Sequence, residues 1–155
     1  MAERMSLKTG LVKIVKVYLA SRFGNRLMLA SAKSMLENRG HKVTSRWIHV
    51  GTRPKGPELE RFWKQWAKYD VEDMNECKVL ILCTMGCDGE DPPRGGMRFE
   101  EGYCYAQDKP IIVVGPKIIV FDQLPDIHYC NDWDECFKIL DKLQKEADEL
   151  ANEED

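Results

Sequence analysis

The sequence contains no Cys-x-x-Cys pair, and its three histidines (41, 49 and 128) are scattered without metal-ligand spacing. A zinc site or a disulfide framework is therefore not expected. Of the six cysteines (77, 83, 87, 104, 130 and 136), Cys77, Cys83 and Cys104 fall within otherwise apolar patterns, where cysteine behaves as a small core residue. A basic surplus is missing too: 23 Lys and Arg stand against 26 Asp and Glu, for a net charge of -3 and a pI near 5.7. That balance argues against a protein that grips nucleic-acid backbones. No stretch approaches the roughly 18 consecutive apolar residues of a membrane span, and Met1 to Lys8 lacks the apolar core of a signal peptide. The expectation is a soluble, cytoplasmic protein without a membrane or nucleic-acid partner.

With 155 residues, the chain is long enough for one domain with a full core, and a second domain is not needed. Residues 1 to 10 are polar and unpatterned. Leu11 to Ala20 reads as a first strand, and Arg26 to Asn38 as a helix that stops at Arg39-Gly40. His41 to Ile48 reads as a short second strand, followed by a Gly- and Pro-rich loop from His49 to Pro57. From Glu58 the pattern is helical, with Leu59, Phe62, Trp63, Trp66, Ala67, Val71 and Met74 as its apolar members. Cys77 to Thr84 has the uninterrupted apolar character of a central strand covered on both faces. Ile111 to Val114 is the expected fourth strand, and Ile118 to Phe121, after Gly115-Pro116, the fifth. An amphipathic helix from Asp132 to Leu150 closes the domain, its acidic end from Glu146 onward reading as frayed.

Strands alternating with helices predict an α/β three-layer sandwich, flavodoxin-like or Rossmann-like, around a five-stranded parallel sheet. Ligands of such sheets bind at the carboxyl ends of the strands, near the switch in strand order.

Two carboxylates interrupt apolar stripes. If a helix starts near Gly95 or Gly96, Glu100 lies about a turn in, sharing its side with Met97, Tyr103 and Cys104. A carboxylate facing inward needs a partner, takes a raised pKa or does chemistry, because burying it unpaired is expensive. The plainer alternative has Glu100 or Glu101 facing solvent while the other pairs with Arg94, Arg98 or Lys109. Asp70 lies four residues after Trp66 and four before Met74, breaking the stripe of its helix; alternatively it meets water beside Glu72 and Asp73.

Three segments in this order carry a resemblance. Lys16-Val-Tyr18-Leu-Ala-Ser21-Arg22-Phe23, Trp66-Ala-x-x-Asp70, and Gly96-x-x-x-Glu100-x-Gly102-Tyr103-x-x-Ala106-x-x-Lys109-Pro110 resemble the nucleoside 2-deoxyribosyltransferase-like proteins, over roughly residues 13 to 140. Close relatives within that family are the 2′-deoxynucleoside 5′-monophosphate N-hydrolases. The resemblance implies that Glu100 is the nucleophile, attacking the anomeric carbon of a deoxyribosyl group to give a covalent glycosyl-enzyme. It implies that Asp70 assists proton transfer to and from the base, and that Tyr18 hydrogen-bonds and orients the nucleophile. No cofactor is implied, and a homo-oligomer is.

One departure bears on the substrate. The transferases carry an acid six residues before the nucleophile, where this chain has Arg94. An arginine has only donors and suits a phosphate. Alternatively, Arg94 pairs with Glu90 or Asp91 in its own loop. Ser21, Arg22 and Gly24 would add contacts to a 5′-phosphate, with Gly95 and Gly96 opening the second loop, while Arg46, Trp47 and Met85 are the loop side chains that would read the base. Two other functions compete: a nucleotide-binding or sensing module without turnover, and a flavin carrier. The flavin carrier would want a Ser/Thr/Gly-rich loop after the first strand, and Ser21-Arg22-Phe23-Gly24-Asn25 is a poor one.

Overall fold

The computed structural model describes residues 15–87 and 95–153. Five parallel strands form one sheet: β1 (Lys16–Ala20), β2 (Lys42–Val43), β3 (Val79–Cys83), β4 (Ile111–Val114) and β5 (His128–Cys130). Their spatial order is β2-β1-β3-β4-β5, the flavodoxin-like arrangement, with the switch in order between β1 and β3. Four helices cover the sheet: α1 (Arg26–Asn38), α2 (Pro57–Glu76), α3 (Gly96–Ala106) and α4 (Trp133–Glu153).

Alternation along the strands sorts the core into two layers. Val17, Leu19, Ile81, Cys83, Ile112 and Val114 face α1 and α4, meeting Leu29, Leu36, Phe137 and Leu140. Tyr18, Ala20, Leu80, Leu82, Ile111 and Val113 face α2 and α3, meeting Met74, Met97 and Cys104. All six cysteines are free thiols buried in these layers or at their edges. No helix among the described residues is long and apolar enough to cross a membrane.

Helix ends follow local chemistry. Gly40 takes a φ of 90° just past α1, where a side chain would be strained. Pro57 occupies the first turn of α2, so that helix begins one residue before the expected Glu58. The C-terminal carbonyls of α2 are met by Lys109, whose Nζ donates to Met74 O at 2.5 Å and to Asn75 O at 3.3 Å.

Three expectations need correction, and one lies partly outside the described residues. Leu11 to Ile14 lie outside the described residues, and β1 is seen from Lys16. The second strand has only two residues. After Val43 the Ser45 hydroxyl accepts a hydrogen bond from Leu19 N at 3.0 Å, and the chain turns into a short 3-10 helix over Arg46–His49. Ile118 to Phe121 is not a strand: it leads into a 3-10 helix at Val120–Gln123, with Val120 74% and Phe121 60% exposed. The fifth strand is His128–Cys130 instead. Finally, the acidic C-terminal segment stays helical through Glu153 rather than fraying from Glu146, as its good helix formers Glu, Ala and Leu allow.

Candidate active site

Tyr18 points from β1 into the α2/α3 layer and is wholly buried. In the same layer, α3 turns Glu100 inward beside Met97 and Cys104, leaving it 9% exposed. The Tyr18 hydroxyl donates a hydrogen bond to Glu100 Oε2. Asp70 extends the stripe of Trp63, Trp66 and Ala67 along α2 toward the same cavity. Its Oδ1 is buried without a hydrogen-bond partner.

Electrostatics tie the three residues together. Burial pushes the Glu100 carboxyl up to about 8; the Tyr18 hydrogen bond works against that rise and the negative charge of Asp70 adds to it. Asp70 is pushed up to about 7, mainly by burial and then by the neighbouring Asp73 charge, with Arg46 opposing. Tyr18 is raised far above the ordinary tyrosine range by burial and by the charge of Glu100. It therefore keeps its proton at any pH the fold survives, and stays a donor. Two carboxylates raised by burial, one of them further by the other's charge, suit a site where one attacks while the other carries a proton.

Tyr18 lies behind Glu100 in the core, and Glu100 and Asp70 line a cavity of about 1060 Å³ beyond the carboxyl ends of β1 and β3. Of the residues expected to bind substrate, Ser21, Arg22, Gly24, Trp47 and Gly96 line it together with Asp70 and Glu100. Trp47 is fixed by its indole N–H, which donates to Leu19 O at 2.9 Å. The Ser21 hydroxyl donates to Cys83 O at 2.7 Å and accepts from Asn25 Nδ2 at 2.9 Å, so it braces the loop. Gly86, with a φ of 72°, leaves room for Arg22: a Cβ there would meet Arg22 Nη2 at 3.1 Å.

Other expected contacts fall elsewhere. Among the described residues, Met85 and Gly95 do not line the cavity; Met85 packs against the α1/α4 core layer, and its carbonyl accepts from Asn25 Nδ2 at 2.9 Å. Arg46 turns away to Asp73 at 2.9 Å and Glu72 at 3.0 Å. Arg94, Glu90 and Asp91 lie outside the described residues. The adjacent carboxylates do not divide into one inward and one solvated residue, since both are buried. Glu101 meets Arg98 at 3.1 Å, and Arg98 in turn makes two contacts with Asp122, at 2.7 and 3.0 Å. Asp73, next to which Asp70 would have met water, is itself buried.

The sequence reading missed several lining residues: Phe23, Arg26 and Arg53 on one side, Phe62, Trp63 and Trp66 along α2. Trp66 had a signal in its place within the Trp-Ala-x-x-Asp segment, and the aromatics of α2 had one in their spacing. Arg53 sits in an irregular loop, where no period marks which side chain turns inward.

No family model matches the chain, and no curated protein matches it. Among solved structures, it is similar to a 2-deoxyribosyltransferase of Bacillus psychrosaccharolyticus, with a TM-score of 0.59 and 24% identity over 79% of this chain and 90% of that one. It is also similar to the CMP N-glycosidase BcmB of Clostridium botulinum, with a TM-score of 0.50 and 20% identity over 81% of this chain and 98% of that one. A conserved protein of Enterococcus faecalis V583 matches with a TM-score of 0.56 and 10% identity, over 81% and 96% of the two chains. Likeness at these identities is likeness of fold.

Proposed function

We propose that this chain cleaves or transfers the N-glycosidic bond of a 2′-deoxynucleoside or its 5′-monophosphate, through a covalent glutamyl-deoxyribosyl intermediate on Glu100. The observation that carries the reading is the buried Tyr18–Glu100 hydrogen bond, made at the wall of a cavity that Asp70 shares. The transferase and glycosidase activities named for two of the similar structures support the same class of reaction.

In the first step Glu100 Oε1 attacks C1′ of the sugar while Tyr18 holds Oε2. The C1′–N bond breaks, and the base leaves with a proton from Asp70. In the second step water, or another base, attacks C1′ as Asp70 takes back a proton, and the ester to Glu100 breaks to restore the carboxylate. Aromatic side chains at Trp47, Phe62 and Trp66 suit the flat face of a base. Arg22 and the loop after β1 suit a 5′-phosphate, which favours a nucleotide substrate.

The test is to trap the intermediate with a slow 2′-fluoro substrate and locate the adduct by mass spectrometry. A sugar ester on Glu100, absent from Glu100→Ala, is expected. Tight nucleotide binding without base release or adduct would instead identify a binding module.

A further inference from the structure

Two arginines of the cavity have no role in the reaction just described. Arg26 and Arg53 both line it, and both guanidiniums lie against the ring of Phe23, at 4.9 and 4.1 Å from its centroid. Arg26 is tethered through Nη1 to the carbonyl of Val50 and, at 3.4 Å, to that of Gly51, so it is held against the loop that carries Arg53. Among the described residues neither has a carboxylate partner, whereas Arg39, Arg46 and Arg98 all do. Apart from Asp70 and Glu100, no acidic residue is found among the described lining residues. In a chain of net charge -3, one cavity thus holds Arg22, Arg26 and Arg53 together.

A guanidinium that stacks on a ring spends its face there. The in-plane N–H donors that are not given to the carbonyls of Val50 and Gly51 remain, and they match the oxygens of a phosphate. Arg26 and Arg53 therefore bring two sets of donors to the part of the cavity that surrounds the Phe23 ring.

We infer that Arg26 and Arg53 form a second anion subsite in the cavity, and that the nucleotide accepted there carries two phosphoryl groups. One would lie at the loop after β1 and the other at these two side chains. The proposal rests on the glycosidic reading for the nucleotide, and on the geometry of the two arginines for the second phosphate. A 5′-diphosphate and a 3′,5′-bisphosphate both offer that chemistry.

The experiment titrates the full chain with the 5′-monophosphates, 5′-diphosphates and 3′,5′-bisphosphates of the four common deoxynucleosides. It is followed by the fluorescence of the cavity tryptophans, with base release measured separately. At least one doubly phosphorylated form should bind ~10-fold more tightly than its monophosphate, the scale of an added charge-assisted contact. Whether the gain appears in the diphosphate or the bisphosphate arm identifies the second phosphate. Arg53→Gln should abolish the gain, and Arg53→Lys, which keeps the charge without the planar fork, should retain part of it. Equal binding of singly and doubly phosphorylated forms, no binding of any doubly phosphorylated form, or a gain that survives both Arg53→Gln and Arg26→Gln would overturn the inference. Base release from monophosphates without the preference removes this inference and leaves the glycosidic reading standing; the preference without base release does the reverse.

Discussion

A phenolate at position 18 would face Glu100, Asp70 and Asp73 from inside the core, so Tyr18 stays protonated and serves as a fixed donor to Glu100. A hydrogen bond to a charged group contributes ~1.5–3 kcal/mol, so Tyr18→Phe should lower kcat by ~10- to 100-fold with a smaller change in KM. Single-turnover base release measures it. The carboxylates set the pH profile. The proposed reaction calls for Glu100 ionised and Asp70 protonated at base release, and burial raises the two carboxyls to about 8 and about 7. Activity should therefore fall on the acid side as Glu100 takes up its proton and on the alkaline side as Asp70 loses its own. Asp70→Asn should remove the alkaline limb and leave a single acid limb, set by Glu100 beside an uncharged neighbour; a kcat/KM profile of the two proteins checks it. Asp70 and Glu100 stand out in the sequence because each interrupts an apolar stripe, and Tyr18 stands out only through the resemblance of its segment to a known family. Arg26 and Arg53 do not stand out, since nothing in a sequence period reveals that two cations will converge on one phenylalanine.

Elements deliver these residues only if their packing holds. Helix α3 presents Glu100 between Arg98 and Glu101, and both neighbours are bound into a cluster with Asp122. Asp122 also accepts the backbone N–H groups of Ile118 and Ile119, at 2.7 and 3.0 Å, and so anchors α3 to the segment after β4. Removing one member leaves Arg98 half-paired in a mostly buried setting. Asp122→Ala should cost ~3 kcal/mol, roughly 6–12 °C in Tm for a chain of this size, read by thermal unfolding. This cluster also explains why the fifth strand was misplaced. Ile118 to Phe121 has the apolar, β-branched look of a strand, but Asp122 draws its backbone into a capped turn and leaves Val120 and Phe121 at the surface. The true strand, His128-Tyr129-Cys130, is an edge of three residues with no apolar alternation to announce it. β1, β3, β4 and all four helices were readable, because long apolar runs and 3.6-residue stripes are fixed by burial and not by local capping.

At the scale of the whole molecule, the order β2-β1-β3-β4-β5 opens the sheet at the β1/β3 switch, and the chain places its least comfortable charges there. Glu100 has an ordinary value of 4.5 and is raised to about 8 in the fold, so its protonated form is the one the fold favours. Its contribution to stability is complete below pH 4.5 and is lost as the pH rises through about 8. Ligand-free Glu100→Gln, which cannot ionise, should match the parent protein in acid. By about pH 9 it should exceed it by on the order of 2–4 kcal/mol, roughly 5–15 °C in Tm, and calorimetry across that range decides it. A site that weakens its own scaffold on ionisation is consistent with one built for turnover.

The cysteines add a property of a different kind. All six cysteines are free, and apart from Cys87, which lines the cavity, their sulfhydryls lie inside the packed layers, so an aqueous alkylating reagent finds those five only when the layers part. Label taken up by those five under native conditions would therefore time the breathing of this molecule, making its interior chemistry a clock for how often the sheet and helices come apart.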